Sequence, residues 1–111
     1  MTWVNIPLEF LVSSDFRGSE PTDRATWLAL LAHCHAEENG GRIVGAARWK
    51  DRQWQMVCAV FLSEVLSECN LWTWEGDDLI VSNYPREKEE QVKRRRQIGR
   101  ELAGKRWAKK S

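Results

Sequence analysis

The stretch LWTWEGDDLIV, Leu71 to Val81, decides how the rest of the chain is read. Side chains alternate across a strand, so Trp72 and Trp74 share one face and Thr73 and Glu75 the other. GDD then supplies turn residues and LIVSNY returns. A hairpin with one packed face follows. Its tip carries Glu75, Asp77 and Asp78, three carboxylates that phosphates repel, so the hairpin is expected to close a core rather than reach into a groove.

Working upstream, LSEVLSECN turns Leu62, Val65, Leu66 and Cys69 inward at helical spacing and leaves Ser63, Glu64 and Ser67 outward. Before it, RWKDRQWQMVCAVF places Trp54, Val57, Cys58 and Phe61 at i, i+3, i+4 and i+7, with Lys50, Asp51 and Gln55 facing solvent. Two short helices joined near Ala59 to Leu62 have the size of a helix-turn-helix. RIV, Arg42 to Val44, is a minimal strand. The strongest helix signal is TDRATWLALLAHCHAEE, where Trp27, Leu31 and Cys34 form a stripe widened by Leu28, Leu30 and His35. Ser19 is the expected cap, Pro21 sits in the first turn, and Asn39 to Gly41 stop the helix. TWVNIP alternates and predicts a strand ending at Pro7; SSDF predicts one helical turn capped by Ser13 or Ser14.

The charge is unevenly placed. Residues 1–85 carry 6 Lys+Arg against 12 Asp+Glu, whereas residues 86–111 carry 11 against 4, so a formal net charge of +1 conceals an acidic body and a basic tail. Such a tail suggests contact with nucleic acid or an acidic protein. Its acidic-then-basic order suits a helix macrodipole, so part of it is expected to be helical. Ile98 and Leu102, at i and i+4, offer a small apolar stripe for a partner chain.

Several functions are disfavoured. The three cysteines, Cys34, Cys58 and Cys69, match no CxxC spacing, and the N-terminus shows no basic region followed by an apolar one, which together suggest a cytoplasmic protein with reduced thiols. No apolar run approaches the ~20 residues that span a bilayer. His33 and His35 are two apart on a helix and point about 200° away from each other, so no metal is expected there. There is no GxSxG or P-loop, and Cys34 falls on a core stripe; neither an enzyme nor a cofactor is expected. Of the seven tryptophans, Trp3, Trp27, Trp49, Trp54, Trp72 and Trp74 are expected mostly in the core, with one or two left for a second subunit.

The order strand, helices, short strand, two helices, hairpin is that of a winged helix. TWVNIPLEFLVSSDFR, PTDRATWLALLAHCHAEENGGRI, DRQWQ and LWTWEGDDLIVSNYPREKE together resemble the N-terminal winged-helix domain of phage and plasmid replication initiators and DnaD-like replisome organisers, over roughly residues 2–90. The expected fold is therefore α+β: a winged helix-turn-helix of three to four helices and a small antiparallel sheet over residues 1–85, with a basic helical extension over 86–111. The resemblance implies a role in DNA replication or transcription of a mobile element and assigns Ser63, Glu64, Ser67 and Glu68 to the recognition-helix position. Those residues are poor phosphate ligands. DNA is instead expected to meet Lys50 and Arg52, in a cluster with Arg42 and Arg48, and the tail residues Lys93, Arg94, Arg95, Arg96, Arg100, Lys105 and Arg106, with Trp107 available to stack. Binding of that kind has little sequence preference and steep salt dependence. The alternative is a winged helix turned to protein interaction, as a homodimer or on a replication-protein partner.

Overall fold

The computed structural model describes the backbone of residues 4–110 and the side chains of residues 4–104. Among these residues the chain is α+β, with six α-helices, a short 3-10 turn and a three-stranded antiparallel sheet. In order they are α1 (Leu8–Leu11), α2 (Ser14–Arg17), α3 (Pro21–Glu37), β1 (Arg42–Ile43), the 3-10 turn (Ala46–Arg48), α4 (Asp51–Cys58), α5 (Leu62–Val65), β2 (Trp72–Glu75), β3 (Asp78–Val81) and α6 (Arg86–Lys110). β3 lies between β1 and β2.

The core forms around α3, whose helical period buries Trp27, Leu30, Leu31 and Cys34. Aromatic rings pack in two groups. Phe10 and Phe16 meet Trp27 at centroid distances of 4.8 and 5.7 Å, and Trp54 meets Trp49 at 4.7 Å and Trp74 at 6.4 Å. Leu28, expected to widen the buried stripe, is 46% exposed, so that side of α3 is open to solvent.

The hairpin has the expected faces. Trp72 pairs with Val81 and Trp74 with Leu79, and Gly76 takes φ 61 at the first position of the two-residue turn, where a residue with a Cβ would be strained. Both indole N–H groups, of Trp72 and Trp74, donate to the Val65 carbonyl at 3.0 and 3.1 Å. The packed face is thus tied to the end of α5, where the helix leaves carbonyls without an internal partner.

Several local expectations are corrected. Val4–Pro7 form no strand; Val4 and Ile6 alternate onto the core, but the extended chain has no ladder partner, and Thr2 and Trp3 lie outside the described residues. Ser19 does not cap α3: its hydroxyl donates to the Asp15 carbonyl, and Glu20 holds the cap position without a side-chain bond. Ser13 does cap α2. The next helix is confined to Asp51–Cys58, because Ala59 turns left-handed at φ 58; Val57 and Phe61, expected inside, are exposed, and Val60 is buried instead. The following helix is a single turn, Leu62–Val65. Leu66 is 60% exposed, and Ser67 and Glu68 lie beyond the helix, since the chain must turn there to bring Leu71 and Trp72 into the core.

Burial raises the thiol of Cys34 to about 11 and that of Cys58 to about 12, from an ordinary 9.0. A raised acid pKa means that the fold holds the neutral thiol. This contribution to stability is complete below the unfolded value and declines as pH rises from there through the folded values. At pH 8 a disulfide-exchange reagent is expected to titrate the half-buried Cys69 first, with Cys34 and Cys58 reacting only on unfolding. Equal rates for all three would contradict this burial pattern.

Candidate nucleic-acid interface

The acidic hairpin tip is neutralised from within the body. Arg42 contacts Asp78 at 2.6 Å and Glu75 at 3.2 Å, and Arg48 approaches Asp77 at 4.0 Å. The Gly45 N–H also donates to Asp78 at 2.9 Å; this bond and the Arg42 guanidinium hold the Asp78 carboxyl below its usual range, while the hydrogen bonds to Asp78 and Glu75 raise Arg42. Arg42 and Arg48, grouped with Lys50 and Arg52 from sequence, therefore serve the sheet. Lys50 and Arg52 are exposed at the start of α4, and their side chains make no hydrogen bond or ion pair among the described residues.

The recognition-helix position presents little. Ser63 and Glu68 are exposed and Ser67 is half-buried, while Glu64 is engaged on both carboxylate oxygens. One accepts from the Thr26 hydroxyl at 2.7 Å and the other from the Phe61 N–H at 3.2 Å, closing half of a capping box. A four-residue turn cannot place successive side chains along a groove.

The basic segment is helical from Arg86 onward, and its first turns are part of the body. Glu89 is 2% exposed inside a stretch that reads as solvated charge. Its carboxylate accepts from the Tyr84 hydroxyl and from the Gly40 N–H at 2.9 Å, and lies 3.5 Å from the Lys93 ammonium. Tyr84 Oη is also 3.0 Å from the Cys34 carbonyl oxygen, and burial together with Glu89 raises its hydroxyl above the ordinary phenol value. Three cations then cap the end of α3. The Arg86 Nε donates to the Gly40 carbonyl at 2.7 Å, the Lys93 Nζ to the Glu38 carbonyl at 2.5 Å, and Arg96 to the Glu38 carboxylate at 2.5 Å. Cations suit that position, because the carbonyl end of a helix is partially negative. The Arg96 hydrogen bond holds the Glu38 carboxyl below its usual range.

Beyond this clamp α6 leaves the body. Every described side chain from Lys93 to Gly104 is exposed, including Ile98 and Leu102 at 55% and 53%. The Cα radius of gyration is 17.3 Å, against roughly 13 Å for a compact chain of this length, and the longest axis is 59 Å. Of the basic residues expected to meet DNA, Lys93 and Arg96 are engaged with Glu38. The side chains of Arg94, Arg95 and Arg100 have no ion pair or hydrogen bond among the described residues. At 100° per residue Arg94 and Arg95 flank the Ile98–Leu102 stripe, on the side of α6 turned away from Lys93 and Arg96. The side chains of Lys105, Arg106 and Trp107 lie outside the described residues.

Tyr84 and Glu38 were not singled out from sequence, and Gly40 and Glu89 were read only as part of a helix stop and of an acidic-then-basic run. Glu89 looks like any other member of REKEEQVK, and only the fold shows which carboxylate turns inward. Among the described residues no group of three or more His, Cys, Asp and Glu is placed to hold a metal ion. His33 packs edge-on against Trp49 at 6.1 Å, and burial lowers its pKa. No described helix is long and apolar enough to cross a membrane.

These features define an α+β protein with an acidic body and a projecting basic helix. Compared with models of protein families, with curated proteins and with solved structures, the chain gives no significant match.

Proposed function

We propose that this chain is a non-enzymatic, cytoplasmic nucleic-acid-binding protein of the replication-organising type, built on a winged-helix body and contacting the phosphate backbone mainly through α6. The observation that carries this reading is the emergence of α6 from the α3 clamp with Arg94, Arg95 and Arg100 exposed and their side chains unpaired among the described residues. Unpaired cations displace condensed counterions from nucleic acid, and that release drives binding with little dependence on sequence. The order α3, β1, α4, α5, β2, β3 supports the winged-helix reading of the body. Lys50 and Arg52 supply a secondary phosphate contact.

Fluorescence anisotropy of labelled duplex and single-stranded DNA, titrated with the full chain across a salt series, tests the proposal. Binding that weakens log-linearly with salt and changes little between unrelated sequences is the expected result. Absence of binding at low salt would overturn it.

A second reading, a protein-interaction module, is favoured by one observation. The position expected to read DNA is a single turn whose Glu64 is already bonded, beside exposed Phe61 and Leu66 at 56% and 60%.

A further inference from the structure

An open cleft of about 470 Å³ lies at the N-terminal end of α3, between α2 and the α5–β2 connection. Four carboxylates line it: Asp15, Glu20, Asp23 and Glu68. Asp15 is 3.4 Å from the Asn70 amide, a weak contact. Asp23 is the unusual one. It is 7% exposed and lines the cleft, yet no hydrogen bond or ion pair reaches its carboxylate among the described residues. What little of Asp23 stays exposed faces this acidic cleft, so a cation seated there would supply the partner that the carboxylate lacks among the described residues. The four carboxylates do not converge as metal ligands do, since no metal-type group occurs among the described residues. A long organic cation, guanidinium or ammonium, fits the chemistry: it carries its charge on a slender stem and donates several hydrogen bonds.

We infer that this cleft receives the basic face of α6 from a second copy of the chain, with Arg94 and Arg95 as the inserted cations. Charge complementarity selects this occupant, because the 1–85 body has twice as many acidic as basic residues and the 86–111 segment the reverse imbalance. The same chain cannot satisfy its own cleft. α6 is rooted at Glu38 and Gly40, at the far end of α3, about 22 Å from Asp23 along the helix axis, and runs on as an unbroken helix whose described side chains from Lys93 to Gly104 are exposed. The arm and the cleft therefore meet between molecules. If two copies exchange arms the assembly closes as a dimer; one-way insertion propagates a chain of copies. This inference stands apart from nucleic-acid binding and is tested in its absence.

Sedimentation velocity of the full chain over a range of micromolar concentrations, at 20 mM and 500 mM salt, gives the first readout. Mass rising above 12.9 kDa with concentration at low salt and returning to monomer at high salt is expected. Asp23→Asn, and separately Glu68→Gln at an exposed position that tolerates change, should each weaken association, Asp23→Asn by on the order of tenfold or more. Arg94→Gln with Arg95→Gln should do the same from the other side. Mixing the Asp23→Asn chain with the arm variant is decisive, since one retains an arm and the other a cleft: the mixture should form a heterodimer that neither forms alone. A monomeric full chain at low salt overturns the inference. So does association that survives both the cleft and the arm substitutions in folded protein, or a cleft that binds a free polyarginine peptide while the chain itself stays monomeric.

Discussion

Replacing Glu89 by alanine is expected to destabilise the fold by about 3–5 kcal/mol, as removal of one partner from a buried charged network does. The substitution strips an acceptor from the Gly40 N–H and from the Tyr84 hydroxyl and leaves the Lys93 ammonium with the Glu38 carbonyl as its remaining contact. A domain of this size has roughly 5–15 kcal/mol in total, so the loss is a large part of it. Glu89→Gln keeps the shape and one carbonyl acceptor and should cost less, about 1–3 kcal/mol. Tyr84→Phe keeps the ring that packs on Gly41 and belongs in the same range, because Glu89 retains its Gly40 bond. Urea unfolding followed at 222 nm measures all three. A shift within about 0.5 kcal/mol for Glu89→Ala would mean that the carboxylate is a surface group and that α6 is not clamped to the body. Because Tyr84 and Glu89 are in contact, the double variant should cost less than the sum of the single ones.

That clamp also shows what sequence could and could not convey. Patterns that depend on local period were legible: the α3 stripe through Trp27, Leu31 and Cys34 and the alternation that turns Trp72 and Trp74 to one face reappear, whereas the helix stop expected at Asn39–Gly41 is made one residue earlier, by Glu38 in the left-handed conformation. Lengths were harder. The stripe through Trp54, Val57, Cys58 and Phe61 extends past Cys58 on paper, but Ala59 adopts a left-handed conformation that no composition rule requires of alanine, and half of the stripe ends outside. α5 shrank for a similar reason, since the demand that Leu71 and Trp72 reach the core outweighed the propensity of Leu66–Cys69 to continue. Partner choice was least legible of all. Arg42 and Arg48 resembled members of a basic face until the β1–β3 pairing set Arg42 beside Asp78 and the 3-10 turn set Arg48 beside Asp77, and Glu38 gained Lys93 and Arg96 from a segment 55 and 58 residues away. Charge composition states how many cations exist; only topology states which are already spent on the protein itself.

Of the DNA-facing cations expected from sequence, those left free predict the second large effect. Replacing Arg94, Arg95 and Arg100 by glutamine in the full chain should lower DNA affinity by on the order of a hundredfold at 50 mM salt and reduce the slope of log K against log salt by about 3, one per lost phosphate contact. Lys50→Gln with Arg52→Gln should reduce the slope by at most about 2, and should leave the arm's contribution intact. Helicity at 222 nm must stay unchanged in each variant, because glutamine and arginine have similar helix propensities, so any loss of binding reports charge rather than structure. Lys93 and Arg96 are left in place deliberately: they hold α6 to Glu38, and removing them would confound contact with anchoring. An unchanged slope in the triple variant would move the nucleic-acid contact away from the arm and, with it, the reason for reading α6 as the binding element. Asp23→Asn separates the two roles assigned to α6. It removes no cation, so DNA binding at concentrations where the chain is monomeric should be unaltered, and where copies associate it should rise, because every arm released from an acidic cleft becomes available to phosphate.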